Sequence, residues 1–326
     1  MKKLILLFAC VALSTTIWAQ NDVPTAMLQH DDQVTVFTGM NALVLASNAA
    51  ADGDVITLSA GNFRPATITK AVSIYGAGFE NYEPNGTDTT MIKGALVLDV
   101  AANVLIEGLN VDGNIECSKG IDNLTIRRCW ITGIFRPQAI TNSHIYQCWI
   151  RGIETSNTPL ATDFYISNCR MGWLFGFDIS STVHIDHCLI TGGFKEASSA
   201  YFNCQTYTNC IFTYSTQSQY LYTGKGSQMV NCIYVSPEKL NSQATVTNCY
   251  QVELADIFAD GEDVTYSAER TFELKHPELW ASTDGTQIGV AGGLGWNKTP
   301  TTPVLKDVQV NVEGKKLNVT FDAIAR

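Results

Sequence analysis

Residues 124–133, "LTIRRCWITG", define the pattern of this chain, because closely similar ten-residue segments return at regular intervals. An earlier copy, "VLIEGLNVDG" (104–113), has Leu109 in the cysteine position, and weaker copies continue as far as Cys249. From Leu109 to Cys249 the steps are 20, 19, 21, 19, 22, 22 and 17 residues, a mean of 20. Three segments align with the first without gaps: "SHIYQCWIRG" (143–152), "FYISNCRMGW" (164–173) and "VHIDHCLITG" (183–192). Such a fixed period predicts a solenoid in which each unit packs on its neighbours.

Each unit carries apolar residues at the cysteine, three positions before it and two after it. This spacing predicts two short strands that meet at a bend, with side chains alternating inward and outward. Stacked at about 4.8 Å per rung, the units form a parallel β-helix with like residues in columns. Leucine-rich repeats share the period, but the segments lack their leucine–asparagine signature and any helical run between units. The residue before each cysteine is polar and often asparagine, which tolerates a left-handed turn, so we expect the bend there. The two inner columns are Ile126, Ile145, Ile166 and Ile185, and Ile131, Ile150, Met171 and Ile190.

The cysteines have two interpretations. Nine follow residue 19, and in an exported chain the first expectation is a disulfide framework. The number is odd, no pair forms a CxxC that would indicate zinc, and the cysteines share the register of the isoleucine columns. We therefore interpret most of them as a ladder of free thiols in the core, since unpaired cysteine is among the most buried residue types. The nine are Cys117, Cys129, Cys148, Cys169, Cys188, Cys204, Cys210, Cys232 and Cys249.

The N-terminus and the composition predict export and limit the possible partners. Residues 1–19 resemble a cleaved signal peptide, with Lys2 and Lys3 before an apolar run too short to span a bilayer. Lipidation at Cys10 is the alternative. We therefore expect a secreted, periplasmic or cell-surface protein that is not an integral membrane protein. The net charge is −10, and removal of Lys2 and Lys3 leaves 19 basic against 31 acidic residues, or −12. An acidic chain argues against nucleic acid as a partner.

Two further stretches resemble a known family. "MNALVLASNAAADGDVITLSAGNFRPATITKAVSIYGAG" (40–78) resembles the opening of pectate-lyase-like right-handed parallel β-helices, in which a short helix caps the stack. "TFELKHPELWASTDGTQIGVAGGLGW" (271–296) is similar to the closing segment of exported β-helix proteins of Bacteroidetes-type bacteria. The resemblance implies an all-β fold. It leaves activity open, because one fold hosts lyases, glycosidases, adhesins and noncatalytic members.

These observations divide the chain into four parts. A signal peptide (1–19) and an N-terminal segment (20–34) precede the β-helix (35–296). A Thr- and Pro-rich linker then leads to a predicted β-hairpin (297–326), in which alternating valines flank Glu313–Gly314. An isolated hairpin is only marginally stable, so three arrangements are open. The hairpin packs on the β-helix, pairs with another subunit to form an oligomer, or begins a truncated module.

The enzymes of the resembled family need catalytic residues that the motifs of this chain do not supply. Its lyases use Lys or Arg as base, usually with calcium held by clustered carboxylates. Its glycosidases use two or three carboxylates on adjacent rungs. The glycosidase motifs are missing, no cofactor is identified, and Ca²⁺ is expected only with a lyase. Acidic and basic residues beside loops remain candidates without a pairing: Asp112, Glu116, Asp178, Asp186, Lys195 and Glu196.

Two groups of residues remain as candidates for carbohydrate binding. Five arginines make one region locally basic, and they either bind a carboxylated or sulfated sugar or are solvated on several faces. The residues after successive cysteines form an outward column that begins with Trp130 and Trp149 and continues through aliphatic residues. These tryptophans either stack on sugar rings or lie under a cover such as the hairpin. The arginines are Arg127, Arg128, Arg136, Arg151 and Arg170.

The sequence thus favours an exported β-helix that binds glycan or the cell surface without recognisable catalytic motifs. A polysaccharide lyase, or a hydrolase acting on an acidic polysaccharide, is the first alternative. A structural or adhesin module is the second. The histidines, including His144, His184 and His187, are expected to be ordinary surface residues.

Overall fold

The computed structural model confirms the predicted fold class. It describes residues 23–80, 89–155, 159–178, 180–195, 205–213, 220–221, 223–224, 226–265, 267, 269–301, 304–313 and 316–324. The fold is a right-handed parallel β-helix of about eight turns. Its interior is a continuous column of buried apolar side chains, because every coil places the same inward positions above those of the previous coil. The predicted signal peptide, Cys10, Cys204 and Glu196 lie outside the described residues.

The first sheet contains the strand that leads into each cysteine. Adjacent strands are parallel and in register, so that Ile126, Ile145 and Ile166 pair directly. An antiparallel hairpin begins this sheet ahead of the first coil. In pairing order its strands are Gln33–Thr38, Thr25–His30, Val55–Leu58, Ser73–Tyr75, Ala102–Glu107, Ile121–Arg127, Ile140–Tyr146, Ala161–Ser167, Val183–Asp186, Gln205–Thr208, Gln228–Val230 and Thr245–Thr247.

The second sheet contains the strand that follows each cysteine, and two of its strands continue past a bulge into a third face. In pairing order the second sheet comprises Gly61–Phe63, Thr90–Ile92, Asn110–Val111, Trp130–Arg136, Trp149–Glu154, Arg170–Met171, Leu189–Ile190, Ile211–Phe212, Ile233–Tyr234 and Tyr250–Gln251. The third face comprises Ala66–Ile68, Leu96–Leu98, Ile115–Cys117, the ends of the two long strands, and Leu174–Phe175.

A helix closes the N-terminal end of the stack, as the resemblance implied. It spans Ala42–Ala49 and buries Ala42, Leu43 and Ala46 completely against the first coil. The "DGD" turn follows, in which Gly53 has a φ of 94°. The cap covers apolar side chains and strand edges that would otherwise be open to other chains.

The predicted bend between the first and second sheets is confirmed at every rung. The residue before each cysteine has a φ of 47° to 54°, in the left-handed region. We call these residues the bend column: Arg128, Gln147, Asn168, His187, Asn209, Asn231 and Asn248.

The thiol ladder is confirmed as well. Its members are free cysteines, and six of the seven are buried, whereas Cys249 on the last rung is partly exposed. Successive rungs are in close contact, since the Cys188 N–H lies 3.5 Å from the Cys210 sulfur and the Cys210 N–H lies 3.4 Å from that of Cys232. The ladder consists of Cys129, Cys148, Cys169, Cys188, Cys210, Cys232 and Cys249.

After the last coil the chain turns back along the outside of the stack. We call residues 254–301 the closing segment and its last part, residues 281–301, the strap. Short 3-10 turns at Leu254–Asp256 and Pro277–Leu279 lie in the first part, and another at Pro237–Lys239 precedes it. The strap contacts the bend column in reverse order, so that later strap residues meet earlier rungs. The contacts are Asn231 with Ala281, Asn209 with Thr283, His187 with Thr286, Asn168 with Val290 and Gly292, and Gln147 with Leu294 and Gly295.

Two small antiparallel sheets complete the described structure. Phe194–Lys195 pairs with Tyr220–Leu221. Val304–Glu313 pairs with Lys316–Ile324, which confirms the predicted C-terminal hairpin.

Candidate functional site

The predicted tryptophan column exists, but the closing segment covers most of it. Trp130, Trp149 and Arg170 pair in register on the outer face of the second sheet. Trp149 is only 6% exposed and lies 6.3 Å from the Phe272 ring, whereas Trp130 is half-buried at the margin of the cover. The cover is an apolar cluster whose members in the closing segment are Ile257, Phe258, Phe272, Leu274, Trp280, Ile288 and Val290. The column is therefore a second core rather than an open platform for sugar rings.

Arg127 and Arg128 lie apart from the tryptophans and bind a buried carboxylate. Glu107 is fully buried, and its Oε2 accepts hydrogen bonds from Arg127 Nη2 at 2.6 Å and Nε at 2.8 Å. Arg128 Nη1 donates to Oε1 of the same group at 2.9 Å. The backbone N–H of Thr301 donates to Oε1 as well, at 2.7 Å. Glu107 thus fastens the end of the strap to the β-helix, and the two arginines neutralise its charge.

Arg170 and Arg151 remain on the outer face of the second sheet. The Arg170 guanidinium carbon lies 4.2 Å from the centre of the Trp149 ring, a cation–π contact under the cover. Arg151 follows Trp149 by two residues on the same strand and is exposed. The structure thus brings Trp130, Trp149, Arg151 and Arg170 together.

The fifth arginine, Arg136, lies in a cleft on the third face. Its Nη1 is 3.2 Å from Glu116 Oε1, and its Nη2 is 3.6 Å from Glu154 Oε1. The three side chains come from three successive rungs, since Glu116 pairs with Arg136 and the neighbouring strand ends in Glu154. The cleft has a volume of about 150 Å³ and is also lined by Cys117, Pro137, Gln138 and Thr155.

Local hydrogen bonds fix the cleft residues. The Asn114 amide donates to Glu116 Oε1 at 2.8 Å and accepts the Ile134 N–H at 2.9 Å. The hydroxyl of Thr155, at the other side, donates to the Gly176 carbonyl. Each of the three charged side chains is between 30% and 43% exposed. The cleft therefore presents the carboxylates of Glu116 and Glu154 on either side of the planar Arg136 guanidinium. All three groups are accessible to a ligand.

The sequence pattern indicates Glu116 and Arg136 as separate candidates but does not predict that they lie together. Glu116 was a loop candidate, Arg136 belonged to the basic cluster, and Glu154 was not a candidate. A signal was present, because Glu116, Arg136 and Glu154 are 20 and 18 residues apart, close to the repeat. The cysteine register did not reveal Glu154, since the bulge between Ile131 and Ile134 shifts its strand by one residue relative to that of Arg136.

The histidines differ in environment. His144, Tyr165 and His184 stack on the outside of the first sheet, with ring centres 5.0 and 4.8 Å apart. Rings stacked along the coil axis present edges to solvent, so they form no flat sugar platform. His187 is not a surface residue as predicted. It is 1% exposed, because its ring lies between Asp186 and the strap residues Asp284 and Thr286.

Neither a metal cluster nor a membrane-spanning helix is found in the part of the chain that the structure describes. No group of three His, Cys, Asp or Glu side chains there is arranged to hold a metal ion. The helices among those residues are all too short or too polar to cross a bilayer. Comparison with known proteins returned no matching family model, curated protein or solved structure.

Proposed function

We propose that this chain is an exported β-helix protein that binds a polysaccharide in the third-face cleft. One observation carries the proposal: Glu116, Arg136 and Glu154 converge from three successive rungs on one accessible concave site. Concave sites with a few convergent polar groups are the usual binding sites of proteins. The signal-like N-terminus and the family resemblance support export and a carbohydrate ligand.

The cleft chemistry suits sugar hydroxyl groups. A hydroxyl both donates and accepts, so neighbouring hydroxyls can donate to the carboxylates of Glu116 and Glu154 while accepting from Arg136. The spacing of about 4.8 Å between rungs is similar to the length of one sugar unit in an extended chain. A polysaccharide lying along the stack would therefore meet an equivalent position on each rung.

The same geometry favours binding over catalysis. A lyase of the resembled family needs an arginine or lysine free to remove a proton, whereas Arg136 already faces two carboxylates. Calcium does not fit here either, because the guanidinium between the carboxylates opposes a second cation. We therefore assign the cleft residues to ligand contact and no reaction step to any of them.

Calorimetric titration with neutral and acidic oligosaccharides tests this proposal. Arg136→Ala should weaken binding about tenfold or more, since it removes the guanidinium that lies between both carboxylates. Lys275→Ala is the matched control, because Lys275 makes an exposed ion pair with Asp256 within the closing segment, and neither residue lines the cleft. Failure of the wild type to bind any oligosaccharide, or equal affinity in the Arg136 variant, would contradict the proposal. Release of unsaturated uronate or reducing ends, with or without calcium, would instead establish the enzymatic alternative.

The C-terminal hairpin favours a second candidate, a structural module that joins subunits. Its two strands, Val304–Glu313 and Lys316–Ile324, pair only with each other among the described residues. A hairpin alone is marginal in water, so contact with a second copy would stabilise it. Sedimentation of the full chain against a chain ending at residue 303 tests this: equal monomeric mass for both would rule out assembly through the hairpin.

A further inference from the structure

Arg170 is a charged residue in a column that is otherwise apolar from Trp130 onward. It pairs with Trp149 on one side and Leu189 on the other. Ile211 and Ile233 continue the column, and both are fully buried. A leucine at position 170 would continue this packing without the cost of removing a guanidinium from water.

Arg170 has little to compensate its charge. Among the described residues it contacts Trp149 and donates one hydrogen bond, from Nη2 to the Val264 carbonyl at 3.4 Å. Its Nε is buried and has no acceptor in the described part of the chain. No described carboxylate forms an ion pair with it: Asp260 binds Arg270, and Asp263 accepts from Thr265. Burial lowers the pKa of Arg170 to about 10.

Arg151 provides a second uncompensated charge on the same face. A strand rises about 3.3 Å per residue and neighbouring strands lie about 4.8 Å apart, so the Cα atoms of Arg151 and Arg170 are about 8 Å apart. Arg151 is exposed and forms no ion pair with any residue that the structure describes. Two cations thus lie on one face, with no counter-charge from the described residues, in a protein whose net charge is −10.

We propose that Arg151 and Arg170 bind an anionic group of a glycan, a uronate carboxylate or a sulfate ester, at the margin of the closing segment. Guanidinium groups hold such oxyanions through paired N–H donors, and a partly desolvated site strengthens each contact. Trp149 holds the Arg170 group in place, and half-buried Trp130 lies on the next rung as an apolar neighbour. The site is separate from the third-face cleft and stands if the cleft binds nothing.

The experiment measures binding of D-glucuronate, a sulfated glucose and D-glucose to the wild type and three variants. Arg151→Ala should weaken binding of both anions about tenfold or more. Arg170→Leu should abolish it while the thermal midpoint stays the same or rises, because leucine continues the apolar column. Arg64→Ala, an exposed arginine on an early coil, should bind as the wild type does. A difference in affinity between D-glucuronate and the sulfated glucose would show whether the site prefers a carboxylate or a sulfate ester.

Three outcomes would overturn the proposal. In the first, the wild type binds neither anion, or the Arg136→Ala variant, which lacks the cleft donor, binds D-glucose as tightly as the anions. In the second, Arg170→Leu keeps its anion affinity, which would show that Arg170 only packs on Trp149. In the third, Arg64→Ala loses as much affinity as Arg151→Ala, which would indicate a general charge effect. Because Arg151 is exposed, its variant remains informative even if Arg170→Leu does not fold. Loss of sugar binding in Arg136→Ala alone would reflect the cleft and not this site.

Discussion

Thr301 donates both its backbone N–H and its hydroxyl to the carboxylate of Glu107, a residue 194 positions earlier in the chain. The hydroxyl lies 2.9 Å from each carboxylate oxygen. Because Arg127 and Arg128 bind the same buried group, one glutamate joins two rungs to the end of the strap. A second buried carboxylate, Glu80, binds Lys298 at 2.9 Å.

Removal of the Glu107 carboxylate should destabilise the fold strongly. Glu107→Ala leaves two largely buried arginines without a counter-charge and releases the Thr301 N–H, so we expect a loss of about 3 to 5 kcal/mol. Chemical denaturation followed by circular dichroism measures it. Asp256→Ala is the control, since its exposed pair with Lys275 should contribute less than about 1 kcal/mol. A loss for Glu107→Ala as small as the control's would show that the strap is not anchored there.

Acid should loosen the same anchor. Burial alone would raise the pKa of Glu107, but the Thr301 N–H and the Arg127 guanidinium outweigh it and hold the pKa below the usual glutamate range. A depressed pKa means that the stabilisation is complete above the unfolded-state pKa and is lost as the pH falls through the folded-state pKa. We expect unfolding free energy to fall with acidification in the wild type and to fall less in Glu107→Gln. Parallel pH profiles for the two proteins would contradict this. Glu80 contributes with the opposite sign, since burial raises its pKa despite Lys298.

The buried ladder thiols of Cys188, Cys210 and Cys232 should be chemically inert in the folded protein. Burial raises the thiol pKa of Cys188, Cys210 and Cys232, and the thiolate is the reactive form. Alkylation followed by peptide mass spectrometry should leave these three cysteines unmodified under native conditions and label them fully in denaturant. Rapid alkylation of these cysteines in the native protein, or disulfide bonds between peptides that contain them, would contradict their role as buried core residues.

Asn209 should contribute to stability through both its backbone conformation and its side chain. Its φ is 54°, its amide donates to Thr283 Oγ1 at 2.8 Å, and its Oδ1 accepts the Thr283 N–H at 2.9 Å. Asn209→Gly removes the side-chain contacts with Thr283 but tolerates the left-handed turn. Asn209→Ala removes the same contacts, and its side chain also disfavours the left-handed turn. The alanine variant should therefore be about 1 kcal/mol less stable than the glycine variant. Thermal unfolding of the two variants compares them directly, and equal stability would mean that the turn imposes no strain.

The fold was predictable because its columns are local and repeated. A twenty-residue period with cysteine and isoleucine in fixed register specifies the two strands, the bend and the core, since inward positions recur on each coil. Even the left-handed bend followed from the polar residue before each cysteine. The second half of each coil is less regular, and the bulge after Ile131 hides the alignment of Arg136 with Glu154.

The candidate site was less predictable because it depends on what covers the outer face. The aliphatic continuation beyond Trp149 indicated a cover, but the pattern could not show that it comes from Ile257, Phe258 and their neighbours in the closing segment. The register does place Glu107 beside Arg127 on adjacent rungs. The pattern could not show that Thr301, 194 residues after Glu107, completes this buried group with its backbone N–H.

The glycines of "TDGTQIGVAGG" have a physical explanation in the strap. Gly289 has a φ of 89°, and a Cβ there would lie 2.4 Å from the Ile211 side chain. Gly293, with a φ of 55°, packs against the His187 ring, where a Cβ would lie 3.0 Å from Nδ1. The strap needs these glycines to lie flat on the bend column.

The return path of the strap also determines how the molecule transmits force. Thr25 pairs with the first coil, and Thr301 is fastened at Glu107, so both ends of this stretch lie at the capped end of the stack. Tension applied between them would pull on the Glu107 and Glu80 anchors and on the first hairpin. The coils that follow Arg128, as far as Gln251, would carry almost none of it, so the last rung would bear no load.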